Sequence, residues 1–320
     1  MPLSTSKYAP SLCDGGCLNS VLNGTQMQTL DILVAKLQRA NYAYHNTGTP
    51  IMTDAEYDKS LEQLRSLSPS HPFLAVIGAP VSKGVMLPVI MGSQDKVIAG
   101  QGSLERWTKK QTASFVVSEK LDGLSALYVY TPQKRSLYLR GDGVKGVDVS
   151  RIISAVKVPA AGLGSAIVRG ELVMPSASVP AGSIGRSLIN GWVHRAVDAE
   201  AVPAELAAVR FLAYQVLEPA GMSRSQQFTW LGSRGFEVPW WAAVAAAAEK
   251  ELLATFMERK AASAYPLDGL VLATDTVPVA LGGGEARNPP DSVAFKASLD
   301  EQKAETTVVG VNKFTTTEPS

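Results

Sequence analysis

Phe115-Val-Val-Ser118-Glu119-Lys120-Leu121-Asp122-Gly123-Leu-Ser-Ala-Leu-Tyr-Val-Tyr130 is the stretch on which the reading of this chain turns. Two apolar runs of strand character flank a charged knot of Glu, Lys, Asp and Gly. A lysine on a strand shoulder beside Asp122 and Gly123 lies at the rim of a core. Partial desolvation there lowers its pKa and raises the fraction of neutral, nucleophilic amine. Gly123 admits a ligand or a backbone closer than any side chain would allow. Taken alone, the stretch fits a surface turn with an ordinary ion pair equally well.

Similar knots recur downstream, each at a strand edge. Arg140-Gly-Asp142-Gly ends a strand over 135–140, and Ala166–Met174 carries Arg169-Gly-Glu171 at its centre. Asp268-Gly269 opens an apolar strand, and Ser292-Val-Ala-Phe-Lys296 ends one in lysine. A carboxylate such as Glu171, between Gly170 and Leu172, is costly to bury alone, so it is either satisfied by Arg169 or functional. The spacing predicts further strands over 86–96 and 210–217 and helices over 104–113, near 148–156 and over the alanine-rich 240–264. The polar segment 185–195 reads as a loop or short helix. Strands and helices interleave without regular βαβ spacing, which predicts an α+β fold with largely antiparallel sheets.

Upstream, Leu30, Leu33, Val34, Leu37, Ala40 and Tyr44 recur at three- and four-residue steps, predicting an amphipathic helix over 21–45. Thr53-Asp54-Ala-Glu56 reads as a capping box that starts a second helix ending near Leu67. The turn of this hairpin gathers Tyr44, His45, Asp54, Tyr57 and Asp58. Each has an ordinary structural explanation, and together they would also form a pocket for a small polar aromatic ligand.

The chain of 320 residues is 46% hydrophobic with a formal net charge of +1. This composition fits a globular protein of more than one unit, and no bulk charge announces a nucleic-acid binder. No apolar run approaches the length of a membrane span, and the first residues lack the apolar core of a secretory signal. Cys13 and Cys17 are the two cysteines present. They are too few for a four-thiolate zinc site and read as free thiols in a reducing, intracellular setting.

Lys120-x-Asp-Gly, Arg140-Gly-Asp-Gly, Arg169-Gly-Glu171, Asp268-Gly and Ala294-Phe-Lys296, in this order, supply a nucleophilic amine, carboxylates and phosphate-facing cations. The series resembles the covalent nucleotidyltransferases, and the Tyr44–Asp58 cluster makes it more similar to the NAD-dependent DNA ligases. The resemblance covers roughly residues 30–310. It implies a small helical domain (21–78) that binds nicotinamide mononucleotide, then an ATP-grasp-like adenylation domain (79–300) with largely antiparallel sheets. Residues 1–20 would be a lead-in, and 301–320 a tail or the start of an OB domain.

The same resemblance implies that Lys120 takes adenylate from NAD and releases nicotinamide mononucleotide. Tyr44, His45, Asp54, Tyr57 and Asp58 would hold the mononucleotide, and Asp122 and Glu171 the ribose. Ser93, Gln94, Ser118, Glu119 and Leu121 would surround adenine, while Arg140, Arg186 and Lys296 engage phosphates. Glu171 and Asp268 would lie near Mg²⁺, directly or through water. The implied partner is nicked double-stranded DNA, and the implied state is an intracellular monomer without a membrane.

Several positions depart from the family pattern. Ser118 stands where a glutamate is usual and Ala273 where a lysine is usual, both of which touch adenine. Ser187 replaces an asparagine, His194 or Arg195 stands for a further arginine, and Lys296-Ala-Ser replaces Lys-x-Pro. The OB barrel and the zinc, helix-hairpin-helix and BRCT modules of the family are not among these 320 residues, as expected of a piece of a longer ligase. The expectation is a chain that adenylylates itself without sealing nicks alone. The alternatives are an ATP- or GTP-using ligase or capping enzyme, and a degenerate nucleotide-binding module.

Overall fold

The computed structural model describes residues 24–46, 51–75, 84–159, 164–198, 201–279 and 288–297. Its first elements are two helices, α1 (Gly24–Asn46) and α2 (Asp54–Leu67). The predicted periodicity is what joins them: Leu30, Leu33 and Leu37 of α1 meet Leu64 of α2 and Phe73 in one small core. The capping box forms as read, with Glu56 N donating to Thr53 Oγ1 (3.2 Å) and Thr53 N to Glu56 Oε2 (2.8 Å). Two of the orphan donors at this helix start are thereby satisfied. Cys13 and Cys17 lie outside the described residues.

The remainder runs β1 (Val85–Met86), β2 (Asp95–Ile98), α3 (Ser103–Thr108), β3 (Phe115–Leu121), β4 (Leu124–Thr131), β5 (Lys134–Leu139), β6 (Lys145–Asp148), β7 (Ala166–Val173), α4 (Gly185–Asp198), β8 (Arg210–Glu218), α5 (Arg224–Ser233), β9 (Trp241–Val244), α6 (Glu249–Ala262), β10 (Leu267–Thr274) and β11 (Ser292–Lys296). These strands form a six-stranded sheet, β1-β6-β5-β4-β7-β8, and a five-stranded sheet, β2-β11-β10-β3-β9. Every pairing between them is antiparallel except β11 with β2. The fold is α+β with largely antiparallel sheets, as the interleaved pattern predicts.

Strand alternation sorts the side chains. Leu124, Ala126 and Tyr128 of β4, with Val168 and Leu172 of β7, enter the large core backed by Ile189 and Val193 of α4. In the other sheet, Phe115 and Val117 of β3 pack on Leu252 and Phe256 of α6. The residues between them turn to the opposite faces, where the two sheets share a cavity.

β3 and β4 belong to different sheets, although only Asp122 and Gly123 separate them. A Cβ on Gly123 would sit 2.3 Å from Leu172 O, so β7 backbone occupies the space a side chain would need. The close approach read from the sequence is therefore one of backbone to backbone.

Five local expectations differ from the structure. The alanine-rich segment 240–264 begins as β9, which pairs with the open edge of β3 from Phe115↔Val244 to Ser118↔Trp241; α6 starts only at Glu249. Edge pairing and aromatic burial override the helix propensity of alanine here. The expected strand over 86–96 is two short pieces joined by a segment tied through Leu87 N to Val144 O and Met91 N to Gly143 O. The expected helix near 148–156 is a strand end and one turn over Ser150–Ile152, because Asp148 Oδ1 captures Ser150 N (2.9 Å) and Val149 N donates to Leu137 O. The 104–113 helix stops at Thr108, whereas 185–195 is a full helix of 14 residues, α4. No described helix is long and apolar enough to cross a membrane.

Candidate active site

A cavity of about 480 Å³ is lined by both sheets, by α4 and α5, and by Tyr57, Asp58 and their neighbours on the helical pair. Its size suits a nucleotide-sized ligand. The five-stranded sheet supplies a floor from alternate residues: Val116, Ser118 and Lys120 on β3, Val271 and Ala273 on β10, and Ser292, Ala294 and Lys296 on β11. The six-stranded sheet supplies the facing wall, including Ser125, Arg140, Arg169, Glu171 and Tyr214.

Lys120 stands at the end of this floor. Its Nζ donates to Asp268 Oδ2 at 2.5 Å, and Lys296 Nζ lies 2.8 Å from Asp268 Oδ1. A bulge between Leu267 and Gly269 presents Asp268 to both lysines. Gly269 has φ +146°, and a Cβ there would sit 2.3 Å from Phe295 O. Burial and then the two lysines act in opposite directions on Asp268; the lysines prevail and bring its pKa down to about 2. Burial pulls the Lys120 ammonium down, but Asp268, followed by Glu171 and Asp122, outweighs it and leaves the pKa raised. This corrects the expectation of a depressed lysine. Desolvation alone would free the amine, but the carboxylate that orients it also keeps its proton.

Asp58 reaches the floor from α2, bonded to Lys96 and 3.9 Å from Lys296. Lys96, Asp58, Lys296, Asp268 and Lys120 thus form a chain of alternating charge from the helical pair to the floor. Tyr57 lines the same side, its phenol pushed up to about 12 by burial and then by Asp58. Tyr44 and His45 fall in the last turns of α1 and Asp54 opens α2, and their side chains lie outside the described residues.

Glu171 faces the cavity two residues from Arg169, and burial raises its carboxyl to about 7 against the pull of Lys120, Arg140 and Arg169. Burial likewise lowers Arg140, and it brings Arg186 of α4 down to about 10. Arg186 Nη1 donates to Asp122 Oδ1 at 3.2 Å. Ser93 N donates to Asn288 Oδ1 (3.1 Å) and Gln94 Nε2 to Ser292 Oγ (3.3 Å), which closes the β2–β11 side.

Two expected adenine contacts are engaged elsewhere. The Glu119 carboxylate turns to the opposite face of β3, where it accepts from Arg259 Nε (3.0 Å) and Trp240 N (3.2 Å). Strand alternation requires this, since Lys120 occupies the cavity face. Leu121 borders the cavity, but its side chain packs with Val173 and Leu212. Sequence reasoning missed Arg224, Phe228, Tyr214 and Asn288 as lining residues and saw Arg169 only as a partner for Glu171. The signal for Arg169 was available: residues two apart on a strand share a face.

Among the described residues, no group of three His, Cys, Asp or Glu side chains is placed to hold a metal ion. Both Asp268 oxygens are already taken by lysines. Glu171 and Asp268 therefore form no cage of their own. They could share a magnesium ion only where phosphate oxygens complete its shell.

Residues 24–83 match the family model described as the DNA ligase-like, N-terminal NAD+-binding domain. The chain is also similar to a DNA ligase of Acanthamoeba polyphaga mimivirus, 33% identical over 264 residues, which are 79% of this chain and 40% of that protein. It is 26% identical over 317 residues to the DNA ligase of Ruminiclostridium cellulolyticum, covering 89% of this chain and 47% of the other. The chain thus spans less than half the length of these curated relatives. Among solved structures, a mycobacterial DNA ligase D complexed with ATP and MES is similar over 66% of this chain and 60% of that one. The identity is 14% and the TM-score 0.39, a likeness that says nothing about the nucleotide donor.

Proposed function

We propose that this chain carries out the first half-reaction of an NAD-dependent DNA ligase. Lys120 Nζ attacks the α-phosphorus of NAD; a P–N bond forms, the P–O bond to nicotinamide mononucleotide breaks, and adenylate stays on the lysine. The observation that carries this reading is the charge chain from Lys120 to Asp58. It joins a half-buried candidate nucleophile to a helical segment that matches an NAD+-binding domain model.

In this reading Asp58 and Tyr57, with Tyr44, His45 and Asp54, receive the nicotinamide mononucleotide half. Lys296, Arg140 and Arg186 face the phosphates, and Asp122 and Glu171 the ribose. Lys120 must give up to solvent the proton that its pairing with Asp268 stabilises before it attacks, and cationic neighbours together with magnesium on the phosphates would favour that loss. The helical segment 21–78 and the region 79–300 then act as one donor-binding and transfer unit. The proposed partner is nicked double-stranded DNA, and the proposed setting is an intracellular monomer.

Incubation with NAD and Mg²⁺ should add the mass of one adenylate to the intact protein, removed by added nicotinamide mononucleotide and absent in Lys120→Ala. Labelling by ATP and not by NAD would overturn the choice of donor. Tight NAD binding without any mass gain would instead indicate a degenerate binding module.

A further inference from the structure

Arg224 is buried, at 8% exposure, at the start of α5, and it lines the cavity at the end of the floor away from Lys120. Its Nη2 donates to Asp291 Oδ2 at 3.3 Å. Its Nε is buried without an acceptor, and Asp291 Oδ1 is buried without a donor. Both unmatched atoms are shielded from solvent within this one ion pair, so contact with a ligand in the cavity falls to the rest of the guanidinium.

Its place on the floor follows from the backbone. Asp291 O accepts from Thr274 N, and the adjacent Ala273 pairs with Ser292 and with Val116. Asp275 fixes the first turn of α5, taking Ser225 N at 2.9 Å and Ser225 Oγ at 2.7 Å. Val116 is four residues along β3 from Lys120, about 13 Å at 3.3 Å per residue. That span suits a nucleotide whose phosphate meets Lys120 and whose base extends toward α5. Ser118 and Ala273 line the floor along this span, and both are too short to grip the edge of a base lying over them. Phe228, one helical turn after Arg224 on the same face, adds an aromatic wall.

We infer that Arg224, held by Asp291, is the specificity-determining residue for the base, and that its guanidinium donates to N1 on the purine edge farthest from the ribose. The inference rests on the lysyl-adenylate reading. An arginine can only donate. It therefore suits adenine, whose N1 carries a lone pair, and rejects hypoxanthine, whose N1 carries a proton.

The test compares initial rates of adduct formation from NAD and from nicotinamide hypoxanthine dinucleotide, using the full chain, Arg224→Gln and Asp291→Asn. Lys120→Ala serves as the blank, and near-ultraviolet circular dichroism as the check on folding. The wild type should prefer NAD by about tenfold or more. Arg224→Gln should bring the ratio toward one, mainly through KM for NAD, and Asp291→Asn should lower it in the same direction. A structural role alone would slow both donors equally. A wild-type ratio near one, or an unchanged ratio in either folded variant, overturns the inference and leaves the lysyl-adenylate reading standing. No adduct from either donor in the wild type overturns both.

Discussion

Lys120 Nζ and Asp268 Oδ2 lie 2.5 Å apart, and the other oxygen of Asp268 is held by Lys296 at 2.8 Å. One carboxylate thus orients the candidate nucleophile and keeps it protonated. Asp268→Asn should lower the Lys120 pKa, because burial then acts with a weaker opposing charge. The pH at which adduct formation from NAD reaches half its maximum should shift downward, read from intact mass against pH. An unshifted profile would show that Asp268 does not control the lysine.

Stability should carry two pH signatures of opposite sign. The Asp268 carboxyl is held down at about 2, so its contribution is present above the ordinary carboxylate range and is lost as pH falls from about 4 towards 2. The loss should be about 2 kcal/mol and be absent in Asp268→Asn. The Glu171 carboxyl is raised to about 7, so its contribution is present below about 4.5 and is lost as pH rises towards 7. Glu171→Gln should therefore remove a decline in stability over that upper range. Urea melts at stepped pH check both signs.

Glu119 neighbours the nucleophile in sequence but faces Arg259 and Trp240 in space. Glu119→Ala should destabilise the fold by about 3 kcal/mol, since it leaves a half-buried guanidinium uncompensated. The folded fraction should still form adduct from NAD. Loss of labelling without loss of thermal stability would contradict this division of roles.

Asp58→Ala should remove the link between α2 and Lys296. Its effect should fall on the reaction with NAD, as a rise in KM of about tenfold or more, since a charged hydrogen bond contributes roughly 1.5–3 kcal/mol. Melting should change little. A normal KM would detach the helical pair from donor recognition.

Gly123→Ala should prevent native packing at the β3–β4 step, because the added Cβ would meet Leu172 O at 2.3 Å. The expected outcome is a loss of several kcal/mol or an insoluble chain. A folded variant with wild-type melting would show that β7 yields there.

Much of this architecture was legible in the sequence because period and spacing are local. Leu30, Leu33 and Leu37 announce a helical face, Thr53 and Glu56 a cap, and Lys120, Glu171 and Asp268 strand edges that meet in one cavity. What was not legible depends on which strand is left with an open edge. Trp241–Val244 became a strand because β3 needed a neighbour, and this overrode the alanines. The face chosen by Glu119 follows from that of Lys120, but only once one of the two is known to face the cavity. Arg224 gave no signal, since nothing local reveals that the start of α5 ends against Asp291, 67 residues away.

The two residues that carry the chain from one sheet to the other have a mechanical consequence. With β7 backbone pressed against Gly123, the Asp122–Gly123 corner holds both cavity walls together at one point, the natural fulcrum for any change in the angle between them. Lys120 and Glu171 lie close to that pivot, so a change in the angle between the sheets moves them least. Arg224 is tied to Asp291 and Phe228 stacks on Trp241, so that end of the cavity moves with the sheet that carries Lys120. Breathing of the cleft should therefore change the distance to the facing wall before it changes the relation of Arg224 to Lys120.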